Sequence, residues 1–255
     1  MEIASDTKFL NKDDKHLACV LLFDVSGSME GGPNTPEGKR PIDALNRSLT
    51  VFKDAFKKGQ FGNDKDKNHS LKAVDLCIMS FGGKEENGRS VSDIQILQPF
   101  APATEMSYTN KLEANGGTPL AEAVEQAMKL IEDIKAKYRK QDVDYFRPML
   151  ICVTDGESTE TSTEEGKEYY ESIKKSLKEA VKKNKVVPYG FGVGDCDMDE
   201  LKDFFGNVAD YTDKDFDDSF MNMLELLGRS FVAGAGNPNN EVIDYIGLDI
   251  LDQVN

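Results

Sequence analysis

In the stretch Leu17-Ala-Cys-Val-Leu-Leu-Phe-Asp24-Val-Ser-Gly-Ser28, seven apolar residues are followed at once by a cluster of polar side chains. A continuous apolar run of this length suits a central parallel strand that is buried on both faces. The polar cluster then lies at the carboxyl end of the strand, which is the edge where open α/β sheets bind ligands. Asp24, Ser26 and Ser28 offer hard oxygen atoms, which suit Mg²⁺ or Mn²⁺ better than Zn²⁺. The stretch therefore predicts an α/β fold with a cation site at one edge of its sheet.

The rest of the chain alternates between strand-like and helical patterns, which predicts a doubly wound, mostly parallel central sheet flanked by helices. The predicted strands are 17–23, 71–81, 93–100, 148–154, 186–193 and 208–211. The predicted helices begin at Pro41 and at Thr118-Pro119 and cover 164–183, 198–205 and 216–231. We expect strand 93–100 to be an antiparallel edge strand beside 71–81, across Gly82-Gly83, with 84–90 as the connection.

The predicted domain organisation has three parts: an N-terminal extension over 1–16, one α/β domain over 17–233, and a linker with a C-terminal tail over 234–255. The linker is rich in Gly, Pro and Asn, as connecting segments are. The tail carries apolar side chains, and we favour its docking on its own domain over docking on a partner.

The chain is acidic, with a formal net charge of -15 over 255 residues. Such a field repels phosphate backbones and anionic lipid, so we expect neither nucleic acid nor a membrane surface as a partner. This negative field favours the binding of divalent cations and of a basic partner. Alternatively, the charge only keeps the protein soluble. The N-terminus lacks the pattern of a secretory signal, and the four cysteines form no CxxC pair. We therefore expect reduced core cysteines and a cytoplasmic location.

Two further segments carry oxygen ligands toward the same edge. Thr118 follows Gly116-Gly117 at a predicted helix start, and Asp155 follows the predicted strand 148–154. The ends of parallel strands meet at one edge, so we expect Asp24, Ser26, Ser28, Thr118 and Asp155 to converge on one ion. Two carboxylates neutralise a divalent cation, and the hydroxyls leave open positions for an anion from outside. Mg²⁺ is the expected ion, followed by Mn²⁺ and Ca²⁺.

The pattern Asp-x-Ser-x-Ser, a distant Thr and an Asp after a buried strand resembles the metal-ion-dependent adhesion site of the von Willebrand factor A domain. The resemblance covers roughly residues 17–232. Smaller motifs are similar to the intracellular bacterial branch associated with tellurium resistance and stress operons. They are Pro41-Ile-Asp-Ala-Leu-Asn46, Gly116-Gly-Thr-Pro-Leu120, Thr154-Asp-Gly-Glu157 and Gly190-Phe-Gly-Val-Gly-Asp195.

This resemblance implies a non-enzymatic adaptor whose metal binds an Asp or Glu carboxylate of a partner protein. It implies that Ser26, Ser28 and Thr118 coordinate the metal directly, and that Asp24 and Asp155 act mostly through water and hydrogen bonds. The loops 30–40, 82–92 and 195–199 would set specificity. An ATPase or a kinase and phosphatase system is a candidate partner, and a non-catalytic subunit of a chelatase-like, ATP-driven assembly is the alternative function.

Other interpretations of these residues remain open. A Mg²⁺-dependent phosphoesterase would also use a strand-end Asp, but its usual second carboxylate is replaced by Ser26. Asp and Ser at a strand end are also ordinary turn and cap residues. His16 and His69 are not expected to be catalytic, and the segment Gly190–Gly194 reads as a turn after a strand rather than a nucleotide loop. Two alternatives remain for a further set of acidic residues: they bind a second cation, or they are simply solvated. These residues are Glu85, Glu86, Asp195, Asp197 and Asp199.

Overall fold

A six-stranded sheet forms the centre of the molecule. The computed structural model describes residues 13–32, 37–58, 72–86, 89–108, 111–212 and 215–235. The strands are β1 (Leu17–Asp24), β2 (Val74–Glu86), β3 (Arg89–Pro102), β4 (Met149–Thr154), β5 (Val187–Val193) and β6 (Val208–Tyr211). They lie in the order β3-β2-β1-β4-β5-β6, and every neighbouring pair is parallel except β2 with β3. The predicted doubly wound sheet with one antiparallel edge strand is confirmed.

Helices cover both faces of this sheet. They are α1 (Pro41–Lys58), α2 (Leu120–Lys140), α3 (Glu164–Lys182), α4 (Met198–Phe205) and α5 (Phe216–Ala235). Helices α1 and α5 pack on one face, and α2, α3 and α4 pack on the other. Alternate residues of β1 enter the two cores: Leu21 and Phe23 face α1 and α5, and Val20 and Leu22 face the other helices. All residues of β1 are buried, which is why its apolar run is continuous rather than alternating.

The predicted end of the second strand at Phe81, before Gly82-Gly83, is wrong. Both glycines lie inside β2, where they pair with Asp93 and Ser92 of β3. Their role is close approach: Gly83 N donates to Asn115 O at 2.8 Å, and a Cβ at Gly83 would lie 2.7 Å from Gly117 N. The predicted connection 84–90 is therefore wrong as well, because β2 continues to Glu86 and β3 begins at Arg89. The glycines allow the loop before α2 to rest directly on β2.

The edge of the sheet where β1 begins is closed by a buried polar cluster. His16 Nδ1 lies 2.7 Å from Asp75 Oδ2, and Tyr138 Oη donates to the same oxygen at 2.6 Å. All three residues are fully buried. The last residues of the predicted N-terminal extension thus pack into the domain, at the edge opposite to Asp24.

The last helix extends beyond its predicted end. Helix α5 continues to Ala235, so the first two residues of the predicted linker are helical. Residues 1–12 and 236–255, and with them the predicted docking of the tail, lie outside the described residues.

The four cysteines are free and buried, as expected for core residues. Among the described helices, none combines the length and the apolar composition that crossing a bilayer requires.

The packing of Gly116 on Gly83 gives a stability prediction. Gly116 has a φ of +66°, and a Cβ there would overlap the backbone of Gly83. We expect Gly116→Ala to lower the free energy of unfolding by about 3 kcal/mol or more, because strain and overlap add. Gly206→Ala is the matched control, with a φ of +80° but open space around it, and it should cost only about 1–2 kcal/mol. Urea unfolding measures both, and equal losses would contradict the proposed close packing.

Candidate metal centre

Asp24 is fixed at the carboxyl end of β1 by two donors. Ser26 N donates to Asp24 Oδ1 at 2.7 Å, and Thr154 Oγ1, at the end of the neighbouring β4, donates to Asp24 Oδ2. Gly27 N then donates to Gly116 O at 2.8 Å, which holds the turn after β1 against the loop before α2. Asp24 is only 1% exposed, so its carboxylate is buried beneath the loops that follow β1 and precede α2.

A chain of hydroxyl groups joins the end of β1 to the end of β4. Ser26 Oγ lies 2.9 Å from Ser28 Oγ, and Ser28 Oγ donates to Asp155 Oδ1 at 2.7 Å. Asp155 is buried, whereas Ser28 is exposed. The predicted meeting of these residues at one edge of the sheet is therefore present in the fold, and it opens to solvent at Ser28.

Thr118 reaches the same place from the start of α2. Its backbone is held by Thr159: Thr118 N donates to Thr159 Oγ1 at 3.0 Å, and Thr159 N donates to Thr118 O at 3.2 Å. A Cβ at Gly156 would lie 3.4 Å from Ser28 Oγ and 3.8 Å from Thr118 Oγ1. Gly156 thus lies beside the hydroxyls of Ser28 and Thr118, which brings Thr118 next to the hydrogen-bonded group of Asp24, Ser26, Ser28 and Asp155.

The hydroxyl of Thr118 is unusual among the polar groups of the site. Thr118 is only 4% exposed, and its hydrogen bonds with the described residues all use the backbone. Thr118 Oγ1 is not among the fully buried atoms that lack a partner, so solvent still reaches it. The hydroxyl is therefore available to a ligand that replaces water.

Sequence reasoning missed the residues that support this arrangement. Glu160 accepts hydrogen bonds from Ala121 N at 2.6 Å and Glu122 N at 3.0 Å. It caps the first turn of α2, because Pro119 at the cap position makes no side-chain cap bond. These partners lie 39 and 38 residues apart in the chain, so no local capping pattern could reveal them. Thr154 was hidden in the same way, since its role as donor to Asp24 exists only across β1 and β4.

The electrostatics of the centre are dominated by two carboxylates. Burial, together with the charge of Asp155, raises the pKa of Asp24 to about 7. Burial also raises the pKa of Asp155, with a smaller contribution from Asp195. Within the described part of the chain, no Lys or Arg forms an ion pair with either residue. The two carboxyl groups therefore share this edge without a basic partner among the described residues.

The donor set fits a hard divalent cation. Mg²⁺ and Mn²⁺ prefer carboxylate, hydroxyl and water oxygens, and the centre offers two carboxylates and three hydroxyls, one of them without a partner. No group of three or more His, Cys, Asp or Glu side chains with metal-binding geometry occurs among the described residues. The centre is of another kind, because most of its donors are hydroxyl groups.

Other residues singled out in the sequence do not join this centre. Glu85 and Glu86 lie at the end of β2 and Asp195–Asp199 follow β5, and β1 and β4 separate those strands. These acidic residues therefore form no single cluster. The predicted turn Gly190–Gly194 lies mainly within β5, where Gly190 leaves room for Leu201 of α4. His16 is buried at the opposite edge, and His69 lies outside the described residues.

No family model matches the chain, and no curated protein matches it.

The raised pKa of Asp24 predicts how stability changes with pH when a chelator keeps divalent cations away. An unfolded Asp ionises near 3.8, whereas folded Asp24 stays protonated to about 7. The folded state thus binds more protons between these values, and the free energy of unfolding should fall by a few kcal/mol as pH rises from about 4 to 7. Urea unfolding at pH 5, 6, 7 and 8 measures the slope. Asp24→Asn should flatten it, and a wild-type stability that rises over this range would contradict the assignment.

Proposed function

We propose that this chain is a non-enzymatic module that binds Mg²⁺ or Mn²⁺ and, through that ion, a carboxylate of a partner protein. The observation that carries the proposal is the hydroxyl of Thr118, which makes no hydrogen bond with the described residues and lies beside Gly156, next to the hydroxyl of Ser28 that donates to Asp155. A bound cation would give this hydroxyl a partner.

The charges support the same proposal. Asp24 and Asp155 are buried beside each other without a basic neighbour, and a divalent cation would cancel their two charges. The hydroxyls of Ser26, Ser28 and Thr118 would be its neutral ligands, with the carboxylates binding directly or through water. The bound ion would supply Lewis acidity, which attracts an anionic ligand.

The access to the centre favours a ligand from outside. Ser28, Gly27 and Gly116 are exposed at its rim, so a side chain of another protein can reach the space beside Gly156. A carboxylate is the hard oxygen anion that proteins offer most readily to Mg²⁺.

The absence of catalysis is also part of the proposal. The residue two positions after Asp24 is Ser26, whose hydroxyl lies 2.9 Å from Ser28 Oγ. A phosphoesterase of the strand-end Asp type needs a general acid at that position, and a serine hydroxyl is a poor proton donor. Binding without chemistry therefore accounts better for these side chains.

Two threonines that flank the centre provide a test of metal binding. Thr118→Val removes a hydroxyl without a protein partner, so the metal-free variant should be as stable as wild type or more stable by up to about 1 kcal/mol. Thr154→Val removes the donor to buried Asp24 and should cost about 1–3 kcal/mol. Urea unfolding in a chelator measures both variants.

The gain in stability on adding Mg²⁺ or Mn²⁺ should also differ between the two variants. At a hundredfold excess over the dissociation constant, the cation should stabilise wild type by about 2.7 kcal/mol. Thr118→Val should need at least about tenfold more metal for the same gain, because a ligand is lost. A wild-type stability that is unaffected by millimolar Mg²⁺, Mn²⁺ and Ca²⁺ would contradict the proposal.

The open coordination position has its own test. With Mn²⁺ bound, solvent protons should relax faster, because water on the ion exchanges with bulk water. Acetate should lower this enhancement by displacing that water, and acetamide, its neutral analogue, should have little effect. Equal effects of the two molecules, or no enhancement with bound Mn²⁺, would show that no position is open to a carboxylate.

A further inference from the structure

The acidic residues around the candidate metal centre are distributed unevenly. On the side of α1 they are paired: Arg40 Nη1 lies 2.6 Å from Glu30 and Arg40 Nε lies 2.7 Å from Asp43, and Arg47 pairs with Asp217 at 2.8 Å. Two arginines thus pair with three of the carboxylates on that side of the centre.

On the side of β5 the acidic residues have no such partners. Glu157 follows β4, and Asp195, Asp197 and Asp199 follow β5; all four are exposed, and no ion pair joins them to a basic side chain of the described residues. Asp197 has a structural role, since it accepts from Asp199 N and Glu200 N and caps α4. Asp199 lies in the first turn of α4, where an acidic residue favours the helix dipole. Glu157 and Asp195 have no comparable role.

Glu157 and Asp195 adjoin the centre itself. Glu157 is two residues beyond Asp155, and Asp195 follows Gly194, where a Cβ would lie 3.7 Å from Asp155 Cβ. Ligand binding at this place is indicated independently by Thr118, a residue that is only 4% exposed and whose hydroxyl makes no hydrogen bond with the described residues. We call Glu157 and Asp195 the acidic rim.

We infer that the partner's carboxylate is flanked by Lys or Arg residues that meet the acidic rim on the β5 side of the centre. The inference rests on the proposed function and adds the chemistry of the partner. A cation at the centre cancels the charges of Asp24 and Asp155, and an incoming carboxylate then adds a negative charge beside Glu157 and Asp195. A carboxylate without basic neighbours is repelled by this rim, whereas a basic flank is attracted to it.

Coulomb's law sets the size of the effect. Two unit charges about 7 Å apart in water attract by enough to change an affinity about threefold at low ionic strength. Two basic flanking residues should therefore tighten binding about tenfold, and the gain should shrink as added salt screens the charges.

Three synthetic peptides test the inference on the whole chain loaded with Mn²⁺. The first has a central Glu with a Lys two residues away on each side and Gly elsewhere, the second replaces both Lys by Gln, and the third keeps both Lys but replaces Glu by Gln. Affinities are measured by the fall in water proton relaxation and by calorimetry. The Lys-flanked Glu peptide should bind about tenfold more tightly than the Gln-flanked one at low salt, and the peptide without Glu should leave the relaxation unchanged.

Charge variants locate the effect on the surface. Glu157→Gln with Asp195→Asn should bring the tenfold ratio to about one or two while the chain still binds Mn²⁺ and the Gln-flanked peptide. The matched control is Asp133→Asn with Asp144→Asn, two exposed residues away from the centre with the same change in net charge, which should leave the ratio unchanged.

The outcomes distinguish the inference from the proposed function. Equal affinities of both Glu peptides, or a ratio that the rim variant leaves intact, would overturn the inference and leave the metal-dependent binding of a carboxylate standing. Binding of the peptide without Glu as tightly as the first peptide, or binding that a chelator does not reduce, would overturn the proposed function and the inference with it.

Discussion

Two buried carboxylates, Asp24 and Asp155, share one edge of the sheet without a basic side chain to balance them. Each is held by hydrogen-bond donors, Ser26 N and Thr154 Oγ1 for Asp24 and Ser28 Oγ for Asp155. Despite these bonds, burial raises the pKa of both carboxyl groups, and the charge of Asp155 raises that of Asp24 further. The arrangement is thus strained electrostatically in a metal-free protein, and a divalent cation is the simplest species that would relieve it.

The loops that surround these carboxylates are fixed by close backbone contacts and by side chains that hydrogen-bond to the backbone. Gly83 and Gly116 lie so close that a Cβ on either would meet the other loop, and Gly27 N donates to Gly116 O. Glu160 then fixes the start of α2, and Thr159 fixes the backbone of Thr118. Together these contacts keep the hydroxyl of Thr118 beside the carboxylates, although the hydroxyl makes no hydrogen bond with the described residues.

The two sides of the centre differ in charge, and this difference gives the proposed interface a direction. Arg40 and Arg47 form ion pairs with acidic residues beside α1, whereas Glu157 and Asp195 beside β5 remain unpaired within the described ranges. Electrostatic complementarity of this kind affects orientation and the rate of encounter more than the final affinity. The acidic residues that give the chain its net charge of -15 therefore affect how a partner binds at this edge, besides their effect on solubility.

The sequence alone determined the order of strands and helices and the five oxygen-bearing residues at the sheet edge, because burial on both faces imposes continuous apolar runs and parallel strands place their ends together. It also determined the positions of β6 and α4 to the residue. Only the tertiary structure decided that Gly82-Gly83 belong to β2, that Glu160 caps α2 and that Thr154 supports Asp24. Each of these depends on a contact between segments far apart in the chain, and local pattern carries no information about which distant segment a side chain will meet.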